Sequence, residues 1–188
     1  MDDNIETHPL EPFLPENAKI LMLGSFPPPK ARWSMEWFYP NFQNDMWRIW
    51  GYIAYGDKNH FIIDGEKRFN KVALEDFCRM HGIALYDTAT RIIRLKGNAS
   101  DNFLQIIEPT DIAALLHKLP ECRHIVATGQ KSAETLQNIL GVAAPPIGES
   151  VTTRFADRDV QFWRMPSSSR AYPRPVEWKA QFYKRLLE

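Results

Sequence analysis

The segment Lys19-Ile-Leu-Met-Leu-Gly24 constrains the fold more than any other. It is a nearly unbroken apolar run that stops at a glycine. A strand with one wet face alternates polar and apolar residues. A continuous run needs cover on both faces, as a parallel strand between helical layers has. Two more such runs follow, Ile83-Ala-Leu-Tyr86 and His124-Ile-Val-Ala-Thr128. Between them the period becomes helical. Met46, Trp47, Ile49, Trp50 and Ile53 place a helix over Asn44 to Tyr55, with Asn44 available as its cap. Phe69, Val72, Ala73, Phe77 and Met80 place another over Arg68 to His81, stopped by Gly82. Shorter patterns predict helices over Thr110 to His117, started near Thr110 or Asp111, over Gln130 to Leu140, closed by Gly141, and over Pro175 to Leu187. Val151 to Phe155 and Val160 to Trp163 read as two strands around an Asp-Arg-Asp turn. Asn59 to Gly65 reads as turn-rich, and Asn98 to Ile107 as a loop with some apolar content. Strands alternating with helices in this way predict a doubly wound α/β fold.

At 188 residues the chain can bury one core of ordinary size, and no repeat or linker divides it. One domain over residues 1–188 is expected, with 1–16 as an N-terminal extension. The formal net charge is zero, so any nucleic-acid footprint must come from local clustering of Lys and Arg. Cys78 and Cys122 match no zinc spacing and read as reduced thiols; no metal is expected. The acidic N-terminus lacks the pattern of a secretion signal. No stretch approaches the ~20 apolar residues of a membrane span. A cytoplasmic protein is expected.

Open parallel sheets bind ligands beyond the carboxyl ends of their strands. That directs attention to the loops after Leu23, Tyr86, Thr128 and Met165. The first, Gly24-Ser-Phe-Pro-Pro-Pro-Lys30 running on to Trp47, is stiffened by four prolines up to Pro40. It reads either as a ligand cradle or as an aromatic-packed link from strand to helix. Its glycines are too few for a dinucleotide or nucleotide-phosphate loop. Asp87, just past a strand, could hold a ligand, act as a base or cap a helix. Met165-Pro-Ser-Ser-Ser-Arg-Ala-Tyr172 offers three hydroxyls and an Arg, a set suited to phosphates or to a solvated turn.

Taken together, these segments resemble a known family. Gly24-Ser-Phe-Pro27, then Phe38-Tyr-Pro-Asn-Phe-Gln-Asn-Asp-Met-Trp47, resembles the first motif region of the uracil-DNA glycosylase superfamily. The nearest look is to its hypoxanthine-DNA glycosylase and mismatch-specific branches. Met165-Pro-Ser-Ser-Ser169 resembles the second motif. Gly82-Ile-Ala-Leu-Tyr-Asp87 resembles the segment bearing the base-reading residue, and Ile125 to Ala133 resembles the third strand and its helix. The likeness runs in order from about residue 17 to 185.

The resemblance implies a three-layer α/β/α fold with a central four-stranded parallel sheet. It implies an enzyme that flips a damaged base out of DNA and cuts its N-glycosidic bond with water, without a metal or other cofactor. Iron–sulfur branches exist, but two cysteines cannot supply four ligands. Carried over residue by residue, Tyr39 is the stacking aromatic, with Phe26 a second wall, and Asp87 reads the base edge. Asn44 is the catalytic candidate that positions water or base. Ser167 matches the serine of the phosphate-pinching turn. From residue type alone, Ser168 and Ser169 are expected to contact the DNA backbone with it, and Arg170, Arg174 and Lys30 to form a local basic rim. The chain departs from most of the family at Phe26, where Asp or Asn holds water, and at Met165, where His or Asn steadies the leaving base. Asn41-Phe42 replaces a His-Pro pair, and Ser169 falls where relatives insert an apolar wedge. The hypoxanthine branch accepts apolar residues at the first two places, which sets the chain nearest to it. DNA with a deaminated base is the implied partner, no membrane is expected, and the chain is expected to act as a monomer. The alternative is a catalytically quiet relative that binds nucleic acid or a nucleobase. Two further readings stay open: an α/β hydrolase using Asp87, and a protein-interaction module using its aromatics.

Overall fold

A computed structural model describes residues 4–95 and 100–188. In chain order the strands are β1 (Ile5–Thr7), β2 (Ile20–Gly24), β3 (Ile83–Asp87), β4 (Ala89–Arg94), β5 (Leu104–Pro109), β6 (His124–Ala127), β7 (Ser150–Phe155) and β8 (Arg158–Arg164). The α-helices are α1 (Met46–Tyr55), α2 (Lys71–His81), α3 (Ile112–His117), α4 (Gln130–Leu140) and α5 (Val176–Tyr183).

The main sheet has the order β3-β2-β6-β8-β7. Its first four strands are parallel, as the resemblance implied, and β7 closes the edge as the antiparallel arm of a hairpin with β8. β2 and β3 are buried at every residue, which is what their unbroken apolar runs require. The chain steps from β2 to β3 in one direction, then returns past β2 to β6 and on to β8. Parallel crossovers are right-handed, so this reversal puts the α1–α2 connection on one face and α4 on the other. It also makes the β2–β6 junction the switch point, the place where open α/β sheets bind their ligands. Leu23 stands beside both Tyr86 and Ala127, so all three strands finish level.

The core is rich in aromatics. Trp47 and Trp50 on α1 are fully buried. Trp37 stacks on Trp47 at 5.4 Å between centroids, and Trp47 Nε1 donates to the Phe38 carbonyl at 3.0 Å. Burial of each such ring stabilises by roughly 2–3 kcal/mol. These contacts bind the loop after β2 to the helix it leads into. α1 also packs on α5. No helix among the described residues is long and apolar enough to cross a membrane.

Several elements differ from the sequence expectation. A second sheet, β1-β4-β5, is antiparallel throughout. Its strands are short, and Arg91 and Arg94 interrupt the apolar pattern of β4. β5 takes up the second part of the stretch expected to be a loop, from Leu104, and a 3-10 turn over Asp101–Phe103 precedes it; positions 98 and 99 lie outside the described residues. β1 belongs to the segment expected to be an extension; residues 1–3 of that segment lie outside the described residues. The β7–β8 turn is Ala156-Asp157, both with positive φ, as a tight two-residue hairpin requires, and not Asp-Arg-Asp. α1 begins at Met46 with Asp45 in the cap position. Asn44 still contributes, its Oδ1 accepting the Met46 N–H at 2.9 Å. α2 begins at Lys71, capped by Asn70, and α3 by Asp111. α5 tightens into a 3-10 turn over Lys184–Leu187.

Candidate active site

At the end of β2, Gly24 lies between two polar groups. A methyl group on it would fall 2.6 Å from Asp87 Oδ1 and 3.5 Å from the Tyr39 hydroxyl. Only a residue without Cβ lets both groups close over the strand end. Thr128, just past β6, completes the set. Its Oγ1 donates to the Leu23 carbonyl at 3.2 Å, so the Tyr39 hydroxyl must be the donor in the 2.8 Å bond between them. Gly24, Tyr39, Asp87 and Thr128 thus meet at the β2–β6 switch point.

Tyr39 sits there at a cost. Its φ is +50°, rare for a bulky side chain and worth about 1–3 kcal/mol of strain. The Thr128 bond holds it, and on its other side the Pro40 carbonyl accepts both the N–H and the hydroxyl of Ser34. Burial of the Tyr39 hydroxyl, with the Asp87 charge adding, raises its pKa far above the ordinary value. Tyr86 is pushed up to about 12 by burial and then by Asp87. Both phenols therefore stay protonated at neutral pH.

Asp87 is anchored from behind. The Thr110 hydroxyl donates to its carbonyl at 2.6 Å, and the next residue, Thr88, donates its N–H to the Gly24 carbonyl at 2.8 Å. Its Oδ2 lies 2.7 Å from His8 Nε2. Nearby, Ser25 donates its hydroxyl to Asp101 Oδ1 at 2.8 Å. Asp101 is exposed overall, but its carboxylate turns onto the buried Ser25; desolvation there raises its pKa, against the pull of the Ser25 hydroxyl.

The serine loop reaches the same rim. A methyl group on Gly129 would lie 3.8 Å from Ser167 Oγ. Ser167 Oγ accepts the Ser169 N–H at 3.1 Å, and Ser169 Oγ accepts the Ala171 N–H at 3.2 Å. Each hydroxyl keeps its own proton to donate outward. Asp45 braces this loop. Its N–H donates to the Ser168 carbonyl at 2.8 Å. Its carboxylate takes Lys179 Nζ at 3.0 Å and Arg170 Nε at 3.4 Å. Beyond it opens a groove of about 580 Å³, with Phe42, Arg48, Lys58, Arg170, Tyr172 and Arg174 among its walls.

The residues singled out from sequence therefore fall into groups. Tyr39 and Asp87 both close on Gly24. Asn44 is joined to the serine loop through its neighbour Asp45, and among the described residues its Nδ2 has no hydrogen-bond partner. Ser167, Ser168, Ser169 and Arg170 line one loop. Phe26 lies one step back: it packs in a small core with Ala89, Ile92 and Leu104 and meets His8 edge-on at 5.3 Å. Lys30 is directed elsewhere, pairing with Glu36 and lying over the Trp33 ring. Sequence reasoning passed over His8, Asp45, Asp101 and Lys179. Only Asp45 carried a signal, a charged residue directly before a strongly apolar helix. Cys78 and Cys122 are buried thiols with raised pKa values, Cys122 at about 11, so neither is poised as a nucleophile. Among the described residues no group of three or more His, Cys, Asp or Glu could hold a metal ion.

No family model matches the sequence, and no curated protein does. Among solved structures, the chain is similar to the solution NMR structure of a putative uracil DNA glycosylase from Methanosarcina acetivorans, with a TM-score of 0.64. The two are 22% identical over 97% of this chain and 98% of the other. The strand order, the level strand ends and this end-to-end likeness establish that the chain has a uracil-DNA-glycosylase-like α/β fold.

Proposed function

We propose that this protein is a monofunctional DNA glycosylase that hydrolyses the N-glycosidic bond of a deaminated base, hypoxanthine or uracil, flipped out of DNA. One observation carries the reading: Gly24, Tyr39, Asp87 and Thr128 converge at the switch point of the sheet, with the serine loop docked on the same rim. An enzyme that acts on a base must take it out of the stack and read it against an aromatic and a polar group. In this reading Tyr39 supplies the aromatic face and Asp87 reads the base edge, with Phe26 packed one step back against His8. Ser167, Ser168, Ser169 and Arg170 hold the phosphates beside the extruded nucleotide, while Lys30, turned to Glu36, takes no part.

In the reaction, the oxygen of water bonds to the sugar C1′ as the C1′–N bond breaks. The electron pair leaves with the base nitrogen, which ends protonated. Phe26 and Met165 cannot exchange protons, so preorganised dipoles and positioning must stabilise the departing base. Asn44 is suited to this, since its Oδ1 is fixed by the Met46 N–H, which orients the Nδ2 donors. Those same two apolar residues, Phe26 and Met165, favour a second reading, a relative that binds a nucleobase without cutting.

Duplexes with one deoxyinosine or deoxyuridine distinguish the two. With protein in excess over DNA, a single turnover should leave an alkali-labile abasic site. Binding without strand scission at any deaminated base would replace the enzyme with the quiet binder.

A further inference from the structure

We infer that His8 is a positioning residue for base recognition: it fixes Asp87 so that the carboxylate offers one oxygen, purely as an acceptor, to the N–H edge of a deaminated base. The inference rests on the glycosylase reading above and names how its site tells a damaged base from its parent.

His8 reaches Asp87 because β1 pairs with β4, the strand that follows Asp87 almost directly. Its own N–H donates to the Thr90 carbonyl at 2.8 Å. The His8 side chain is 1% exposed and lies against Tyr86, 4.5 Å between ring centroids, with the edge of Phe26 at 5.3 Å. The hydrogen-bond network assigns its proton. Nδ1 accepts the Leu10 N–H at 3.1 Å, so it carries no hydrogen. The ring proton is then on Nε2, which donates to Asp87 Oδ2 at 2.7 Å. His8 is a neutral donor that ties down one carboxylate oxygen. The other, Oδ1, packs against Gly24 and has no hydrogen-bond partner among the described residues, and the Asp87 side chain keeps 10% of its surface exposed.

An oxygen that can only accept is matched to what deamination changes. Adenine and cytosine present a bare ring nitrogen, an acceptor, at the centre of their pairing edge. Hypoxanthine and uracil present an N–H there. Oδ1 placed opposite that position bonds the deaminated base and faces a lone pair on the parent. A buried donor–acceptor mismatch of this kind discriminates strongly. His8 also fixes what a substitution would do. In Asp87→Asn the His8 Nε2–H demands the amide oxygen, so the amide NH2 turns to the base and the code inverts.

The test compares wild type, His8→Ala, His8→Gln and Asp87→Asn. Heteronuclear NMR of the histidine ring nitrogens should show His8 as the neutral Nε2–H tautomer. His8→Ala should slow maximal deoxyinosine excision about tenfold or more while the half-saturating protein concentration stays within about twofold. His8→Gln, which restores a side-chain N–H, should recover most of the rate. Asp87→Asn should lose the preference for a duplex with hypoxanthine over one with adenine at the same position. An imidazolium or an Nδ1–H tautomer at neutral pH overturns the inference. So does a folded His8→Ala with wild-type rate and base preference. If His8→Ala does not fold, His8→Gln and Asp87→Asn decide by the same readouts. If wild type excises nothing, the glycosylase reading falls by itself, and titration with free hypoxanthine decides the remainder. A moved His8 Nε2 resonance that is absent in Asp87→Asn upholds the role of Asp87; an unmoved one ends it.

Discussion

Two proline-rich loops meet at the rim of the sheet, and they use the same residue for opposite ends. In the loop between β2 and α1, Pro27 and Pro40 are buried, as are Met35, Trp37 and Phe38. Its prolines stiffen a wall already fixed by aromatic packing, and Tyr39 is forced through positive φ within it. In the loop between β8 and α5, Pro173 and Pro175 are exposed, and so are Ser169, Arg170 and Arg174. There Pro173 and Pro175 flank charges held out in solvent, while Pro166 and Ser168 at the loop's start are buried. The first loop is packed into the core, and the second carries its charges at the surface. Fixed φ is valuable to both, because it lowers the entropy lost when either loop is held in its working form. What unites them is Asp45, which ends the first loop and holds the second by backbone and side chain.

Breaking that joint gives the largest expected effect. Lys179 is fully buried and paired with Asp45; its other contact is the Ser169 carbonyl at 3.0 Å. Asp45→Ala would leave a buried ammonium without its counter-charge, at a cost of about 3–5 kcal/mol. Denaturant unfolding followed by tryptophan fluorescence measures this. The double variant Asp45→Ala with Lys179→Met should recover much of the loss, since it removes both charges. A loss below about 1 kcal/mol in the single variant would mean the two loops are held independently.

The comparison sharpens if the loops fail in different ways. Asn44→Ala, in the first, should slow base excision by on the order of 10²-fold or more and leave DNA affinity nearly unchanged. Arg174→Ala, in the second, should weaken DNA binding uniformly across sequences and lower the salt slope by about one, with the rate at saturation unchanged. Arg174 is the cleaner probe there. It lies over the Trp178 ring at 4.7 Å, whereas Arg170 is also engaged with Asp45. A folded Asn44→Ala with full rate would reduce that side chain to its bond with the Met46 N–H.

Much of this was legible in the sequence, and the reason is physical. β2, β3 and β6 declare themselves because burial on both faces leaves no room for polar residues, and the helices because a core-facing stripe repeats on the helical period. The site residues on or beside those elements, Tyr39, Asp87 and Ser167, could be placed at the sheet's carboxyl ends for the same reason. The second sheet left no such trace. β1 is three residues long and pairs with a strand more than eighty residues away, Thr7 beside Arg91, so local pattern is silent about it. His8 went unseen with it, a lone histidine whose meaning depends wholly on that pairing. The Asp45–Lys179 pair was hidden likewise, because nothing in either segment says that α5 returns to the start of α1.

The smallest expected effect tests how tightly the first loop is closed. The Tyr39 hydroxyl donates to Thr128 and is held protonated by burial and by the charge of Asp87. Because its folded pKa is raised, the native state keeps this proton at a pH where the unfolded chain releases it. The stability this represents is complete below the unfolded value near 10 and is lost as pH climbs above it toward the raised one. Tyr39→Phe removes both the hydrogen bond and the titration. At neutral pH it should cost about 0.5–1.5 kcal/mol. Above pH about 10 its stability should fall less steeply than that of the wild type, so the two curves converge. Equal slopes in the alkaline range would show the Tyr39 phenol to be open to solvent. The first loop would then be a movable flap over the strand ends instead of a fixed wall.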